Sequence, residues 1–126
     1  MSVVFYQCPH CGNIIVKAVD SGVPVVCCGA PMKEMEPNSS GASAEKHLPV
    51  AEREGAQIIV KVGAITHPMT EEHLISLICL ETSKGFRLVS LTPDDDPGCS
   101  FALGTDEEAL AVYEYCNLHG LWKTTL

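Results

Sequence analysis

Long hydrophobic runs are missing from this chain. Its most apolar stretch, Leu74 to Leu80 (LISLICL), falls far short of the roughly 20 residues that cross a bilayer as a helix. A signal-peptide pattern is missing too: the opening MSVVFYQCPHCG has no basic residue before its short apolar run and no small-residue cleavage site. Basic residues are scarce, with 8 Lys and Arg against 16 Asp and Glu. The formal net charge of −8 is the opposite of what a surface tracking nucleic-acid phosphates needs. No amphipathic stretch is long enough for a crossover helix, which argues against βαβ units, and no internal repeat is visible. These absences lead to the expectation of a cytoplasmic protein with neither nucleic acid nor membrane as a partner.

Cysteine, by contrast, is plentiful. Seven stand in 126 residues. Without a secretory signal they are expected to be thiols in a reducing compartment, which points to metal or redox chemistry rather than a disulfide frame. The apolar fraction of 46% and charged fraction of 19% are those of a globular chain, of one ordinary domain or of a small module joined to a compact one.

Composition shifts once along the chain. The first 36 residues are rich in Cys and Gly with short β-type runs (VVFYQ, NIIVKAV, VPVVCC), and Pro37 to Ala44 (PNSSGASA) reads as a linker. Beyond it lie strand-like segments: Gln57 to Ile65, Leu74 to Leu80, Phe86 to Leu91 and Ala109 to Tyr115. Turn signals such as Ser83-Lys84-Gly85 and Pro93 to Gly98 separate them, so the expected fold class is all-β with an antiparallel β-sandwich. Thr105 to Leu110 is expected to form at most a helical turn. The expected domains are residues 1–37, a small metal module, and residues 38–126, the sandwich.

Cys8-Pro9-His10-Cys11 forms a C-x-x-C knuckle, and the pair Cys27-Cys28 follows with 15 residues between Cys11 and Cys27, a spacing suited to a four-thiolate site. A module this small buries too little surface to fold unaided, so a bound metal is expected to supply folding free energy. Zinc and iron both accept tetrahedral sulfur. Adjacent ligands at Cys27 and Cys28 imply a distorted site. His10, inside the knuckle, reads as a solvent-facing loop residue.

The other four histidines, His47, His67, His73 and His119, lie in loops or at strand ends beside Pro or acidic residues, and Cys116 stands three residues before His119. A sandwich presents binding groups at such places. Four imidazoles and a thiolate are too many ligands for tetrahedral zinc. They suit iron with four nitrogens around an equator, sulfur on the axis and the opposite position open.

CPHCG with CCG, EKH followed by Leu-Pro, HPM with a further His, and CNLHGLW together resemble desulfoferrodoxin, the two-iron form of superoxide reductase. The resemblance runs from Cys8 to Trp122. It implies a desulforedoxin-like Fe(Cys)4 module, with Cys8, Cys11, Cys27 and Cys28 as ligands and zinc possible there in recombinant material. It also implies an immunoglobulin-like β-sandwich holding Fe(His)4(Cys), with His47, His67, His73 and His119 equatorial and Cys116 axial. Glu45 and Lys46 match the family's mobile loop beside the open iron face, Lys46 drawing in the anion and Glu45 binding the ferric iron at rest. The implied activity is one-electron reduction of superoxide to hydrogen peroxide in a cytoplasmic homodimer, with rubredoxin or a similar donor supplying electrons. The alternative is a non-catalytic iron electron carrier, which would have no use for Glu45 and Lys46 at an open face. Cys79 and Cys99 belong to neither centre: Cys79 is expected in a core strand and Cys99 in an exposed loop.

Overall fold

Five strands of two residues each carry the N-terminal part of the chain: β1 (Tyr6–Gln7), β2 (Ile14–Ile15), β3 (Val26–Cys27), β4 (Ala30–Pro31) and β5 (Lys33–Glu34). The computed structural model describes residues 2–126 and divides into two units, Met1–Glu36 and Pro37–Leu126. In the first unit β2, β1 and β5 form one antiparallel sheet, and β3 pairs with β4 as a separate hairpin. Among its described residues only Phe5, Cys8 and Met32 are buried. So little buried apolar area cannot hold 36 residues against chain entropy.

The second unit begins with a short helix, α1 (Ala44–His47), and continues as β6 (Pro49–Glu54), β7 (Gln57–Val62), β8 (Ile75–Thr82), β9 (Gly85–Ser90), β10 (Gly98–Ala102), β11 (Ala109–Cys116) and β12 (Gly120–Thr125). Two antiparallel sheets result, with strand orders β10-β7-β6 and β12-β11-β8-β9. The all-β expectation holds. Period-2 alternation explains the inner faces: Ile58, Val60 and Val62 of β7 pack with Ile78 and Leu80 of β8, Phe101 of β10 and Val112 of β11 in one apolar cluster. A register irregularity between Tyr115 and Cys116, which face Leu77 and Ile75, brings Ile75 to the core side along with Cys116.

Four local expectations change. The only helix among the described residues is α1, not Thr105 to Leu110, whose start is a turn and whose end belongs to β11. The stretch read as a linker is partly structured: Asn38 bridges to Trp122, accepting from Lys123 N–H (2.9 Å) and donating to Leu121 O (2.8 Å). Strands β6, β10 and β12 add to those read from the sequence. Cys99 lies on β10 opposite Val60, half-buried and packed against the core, and burial pushes its thiol up to about 11. Cys79, on β8, is fully buried.

Candidate metal centres

Turn chemistry builds the first cluster. Cys8 N–H donates to Asn13 O (2.8 Å) and Gly12 N–H to Cys8 O (3.1 Å), closing the C-x-x-C loop around Gly12, whose φ of 83° suits a residue without Cβ. The Cys8 sulfur accepts backbone N–H groups from Cys11 and His10, both at 3.4 Å. These donors, Cys11 first, lower the Cys8 pKa to about 6, favouring thiolate. The adjacent Cys27 and Cys28 reach one point because Cys28 takes a left-handed φ of 53°, uncommon outside glycine. His10 is exposed, as expected.

Sulfur spacing tests the fit to a metal. Cys11 Sγ lies 3.6 Å from Cys27 Sγ, and Cys27 Sγ lies 4.0 Å from Cys28 Sγ. A tetrahedron with metal–sulfur bonds of about 2.3 Å has edges of about 3.8 Å. All four sulfurs lie within 4.8 Å of one another. Without a cation they oppose each other's ionisation: Cys28 is pushed up to about 12, chiefly by the Cys11 and Cys8 sulfurs. The four residues fit a tetrahedral ion.

The second cluster gathers at one end of the sandwich. His47 ends α1 just before β6, His67 follows β7, His73 precedes β8, and Cys116 and His119 flank the β11–β12 turn. Neighbouring imidazole centroids are 4.8 Å (His47–His67), 4.4 Å (His67–His73), 5.1 Å (His73–His119) and 4.6 Å (His119–His47) apart. The His47–His73 separation, 6.2 Å, exceeds every one of these, as a diagonal exceeds the sides. Four equivalent corners of a tetrahedron would show one distance only, so the rings form a near-square. Buried Cys116 lies within 4.8 Å of the ligand nitrogens of His47, His67 and His73, and its sulfur is 3.7 Å from His119 Nδ1.

Proton positions decide what this square can hold. His47 Nδ1 meets Ser43 O at 2.9 Å and His67 Nδ1 meets Pro68 O at 2.6 Å. A carbonyl only accepts, so each Nδ1 carries the proton and each Nε2 keeps a lone pair. Those two Nε2 atoms face each other at 3.2 Å. Burial lowers the pKa of His47 and His73 and brings His67 to about 4, so near pH 7 neither ring gains a proton to bridge the gap. His73 Nε2 is buried without a hydrogen-bond partner. Opposed lone pairs and an orphaned nitrogen above a buried sulfur are the donor set a soft-to-borderline cation relieves. Burial also raises the Cys116 pKa, so a bound metal would displace a proton there.

Lys46 and Glu45, both exposed, occupy α1 immediately before His47. The Lys46 charge is among the causes lowering the pKa of both His47 and His73, so its field reaches the imidazole square. Glu45 presents its backbone carbonyl to Ile65 N–H at 3.0 Å. Other contributors escaped sequence reasoning. Trp122 stacks on His47 (5.2 Å, 18°) and donates Nε1–H to His119 O at 3.1 Å. Asn117 ties the His73 loop to the Cys116 turn. Glu114, fully buried two residues before Cys116, has neither carboxylate oxygen partnered, and burial raises its pKa to about 9. It is thus held uncharged near pH 7 and adds no negative charge beside the sulfur. The CNLHGLW motif contained Asn117 and Trp122, but only their contacts give them roles.

Fold and side chains together define an all-β chain with two candidate metal centres, one of four sulfurs and one of imidazoles around a single sulfur. The family model for desulfoferrodoxin matches residues 39–125. A desulfoferrodoxin from Syntrophotalea carbinolica is 44% identical over 120 residues, covering 94% of this chain and 93% of the relative. The crystal structure of the superoxide reductase from Treponema pallidum superposes with a TM-score of 0.83 at 35% identity, covering 98% of both chains. A one-iron superoxide reductase from Giardia intestinalis, 30% identical, covers 65% of this chain and 97% of its own at a TM-score of 0.52. The chain belongs to the desulfoferrodoxin family.

Proposed function

We propose that this chain is a superoxide reductase, an oxidoreductase that converts superoxide, one electron and two protons into hydrogen peroxide. The observation that carries the reading is the near-square of four imidazoles beside buried Cys116, with the Lys46 charge acting on two of the four rings. The names of the relatives agree with it. In this reading His47, His67, His73, His119 and Cys116 hold the catalytic iron, and Cys8, Cys11, Cys27 and Cys28 hold a second ion, iron or zinc.

Iron bound by these residues would supply a one-electron couple and a Lewis-acidic site for a small anion. The chain's own groups do the rest. Lys46 gives an acidic protein the local positive charge that draws superoxide to the site. Carbonyls of Ser43 and Pro68 keep His47 and His67 in the tautomer whose Nε2 faces inward. Cys116, as thiolate, would be the sulfur donor to that iron, and Glu114, held protonated near pH 7 by burial, adds no negative charge beside it. Glu45, on α1 two residues before His47, would supply a carboxylate to the oxidised resting state. Electrons come from outside, from rubredoxin or a similar small donor, and the physiological role is detoxification of reactive oxygen in the cytoplasm by a homodimer.

Product counting tests the proposal. The chain is loaded with ferrous iron without oxygen, supplied with a reductant, and exposed to superoxide made by pulse radiolysis. A reductase forms one peroxide per superoxide consumed. A dismutase forms one per two and releases dioxygen. Superoxide decay no faster than the spontaneous rate would leave an electron carrier and overturn the reading.

A further inference from the structure

We infer that Asn117 is a positioning residue that locks His73 to the turn carrying Cys116 and His119, so that the equatorial and axial sides of the second centre move as one. The inference rests on the reading of that cluster as a metal centre. Asn117 Oδ1 accepts Leu74 N–H at 2.9 Å, Asn117 Nδ2 donates to Glu72 O at 3.1 Å, and Asn117 N–H donates to Leu74 O at 3.2 Å. The amide therefore grips the backbone on both sides of His73, across more than forty residues of sequence. His73 itself closes a turn with Thr70: its N–H donates to Thr70 Oγ1 (3.0 Å) and its carbonyl accepts Thr70 N–H (3.0 Å). That turn fixes the loop's own shape but ties it to no strand. Asn117 makes the tie.

The chemistry needs an amide. Its planar head offers one acceptor and two donors side by side, matching the N–H and C=O that flank a single residue. A carboxylate lacks the donor, and a hydroxyl is too short to span both. The side chain is exposed and fills no core position, so packing does not account for it. What it holds is an imidazole whose Nε2 is buried and unpartnered and whose ligand nitrogen lies within 4.8 Å of the buried Cys116 sulfur. Loss of the clamp frees the His73 loop to shift while Cys116, bonded in β11, stays in place. Outer partners that orient metal ligands change affinity by about 10- to 100-fold when removed.

Cobalt(II) titration of the metal-free, reduced full-length chain is the test, because both clusters take cobalt and give separate spectra. Asn117→Ala should bind cobalt at the second cluster about 10- to 100-fold more weakly, with its thiolate-to-cobalt band shifted, while the four-sulfur cluster binds as in the parent. Asn117→Leu keeps the volume without the two side-chain hydrogen bonds and should match the alanine variant. Parent-like affinity and an unmoved band in both variants would overturn the inference. So would weaker binding with an unmoved band and an equal fall in the metal-free chain's unfolding midpoint, the mark of a merely structural residue. A parent chain that takes cobalt only at the four-sulfur cluster would instead remove the metal reading of the second centre.

Discussion

Gly63→Ala should displace α1 and weaken the second centre, although Gly63 is not one of its candidate ligands. It stands just after β7, and a Cβ built there would lie 2.6 Å from Glu45 O, 2.6 Å from Lys46 C and 2.8 Å from Lys46 O. Ordinary van der Waals contact begins at 3.4 Å, so the neighbours must retreat by 3.4 − 2.6 = 0.8 Å. All three atoms are backbone, and no side-chain rotation relieves the clash. The obstructed segment is held by Lys46 N–H to Ser43 O (3.1 Å), Leu48 N–H to Ala44 O (2.8 Å) and Ile65 N–H to Glu45 O (3.0 Å), so it moves as a body. Lys46 and His47 move with it. Catalytic constellations tolerate displacements of about 0.5 Å, less than this shift. Overpacking of this kind costs about 1–3 kcal/mol of stability. Metal affinity at the second cluster should fall about tenfold or more, the four-sulfur cluster should be untouched, and the bimolecular rate with superoxide should fall as well. Cobalt titration, denaturant unfolding and pulse radiolysis read the three effects. Parent-like affinity and rate, in a variant whose stability matches the parent, would refute the close-approach argument.

Lys46→Ala should leave both metals bound and slow the reaction with superoxide by roughly tenfold, with a weaker dependence on ionic strength than the parent; an unchanged rate across a salt series would make Lys46 an ordinary surface charge. Cys116→Ser should abolish superoxide reduction and the thiolate-to-metal band of the second centre while the four-sulfur centre keeps its metal, and retention of that band would mean another sulfur supplies it. Glu107 gives a pH prediction. Side-chain hydrogen bonds from Arg87 (2.8 and 2.9 Å), then Thr82 and Gly104 N–H, lower its pKa from 4.5 to about 2. A depressed carboxylate pKa contributes stability that is full above 4.5 and lost as pH falls toward 2. Urea unfolding of the parent and Glu107→Gln, both metal-free, should therefore converge as pH drops from 5 to 2, and a constant gap would contradict the assignment.

The residues of both candidate clusters were legible in the sequence because donor chemistry resides in side-chain type and short spacings. The knuckle at Cys8 and Cys11, the Cys27–Cys28 pair and the CNLHG run declare donors whatever the fold around them. Strands β7, β8 and β11 were legible for a related reason: each lies inside a sheet with one face in the core, and that burial writes an apolar pattern. The edge strand β9 was read as well, because FRLVSL alternates, but the strands of the second unit not read, β6 (PVAERE), β10 (GCSFA) and β12 (GLWKTT), are all sheet edges. An edge strand has one neighbour and an exposed margin, so pairing defines it more than composition does. Likewise, nothing local tells Cys99 that Val60 will cover it. Only the tertiary structure decided that four imidazoles from four separate segments form a square, that Gly63 must lack a side chain to seat α1, and that Asn117 reaches across to the His73 loop. Each depends on the distance between backbones far apart in sequence, which no spacing of residue types encodes.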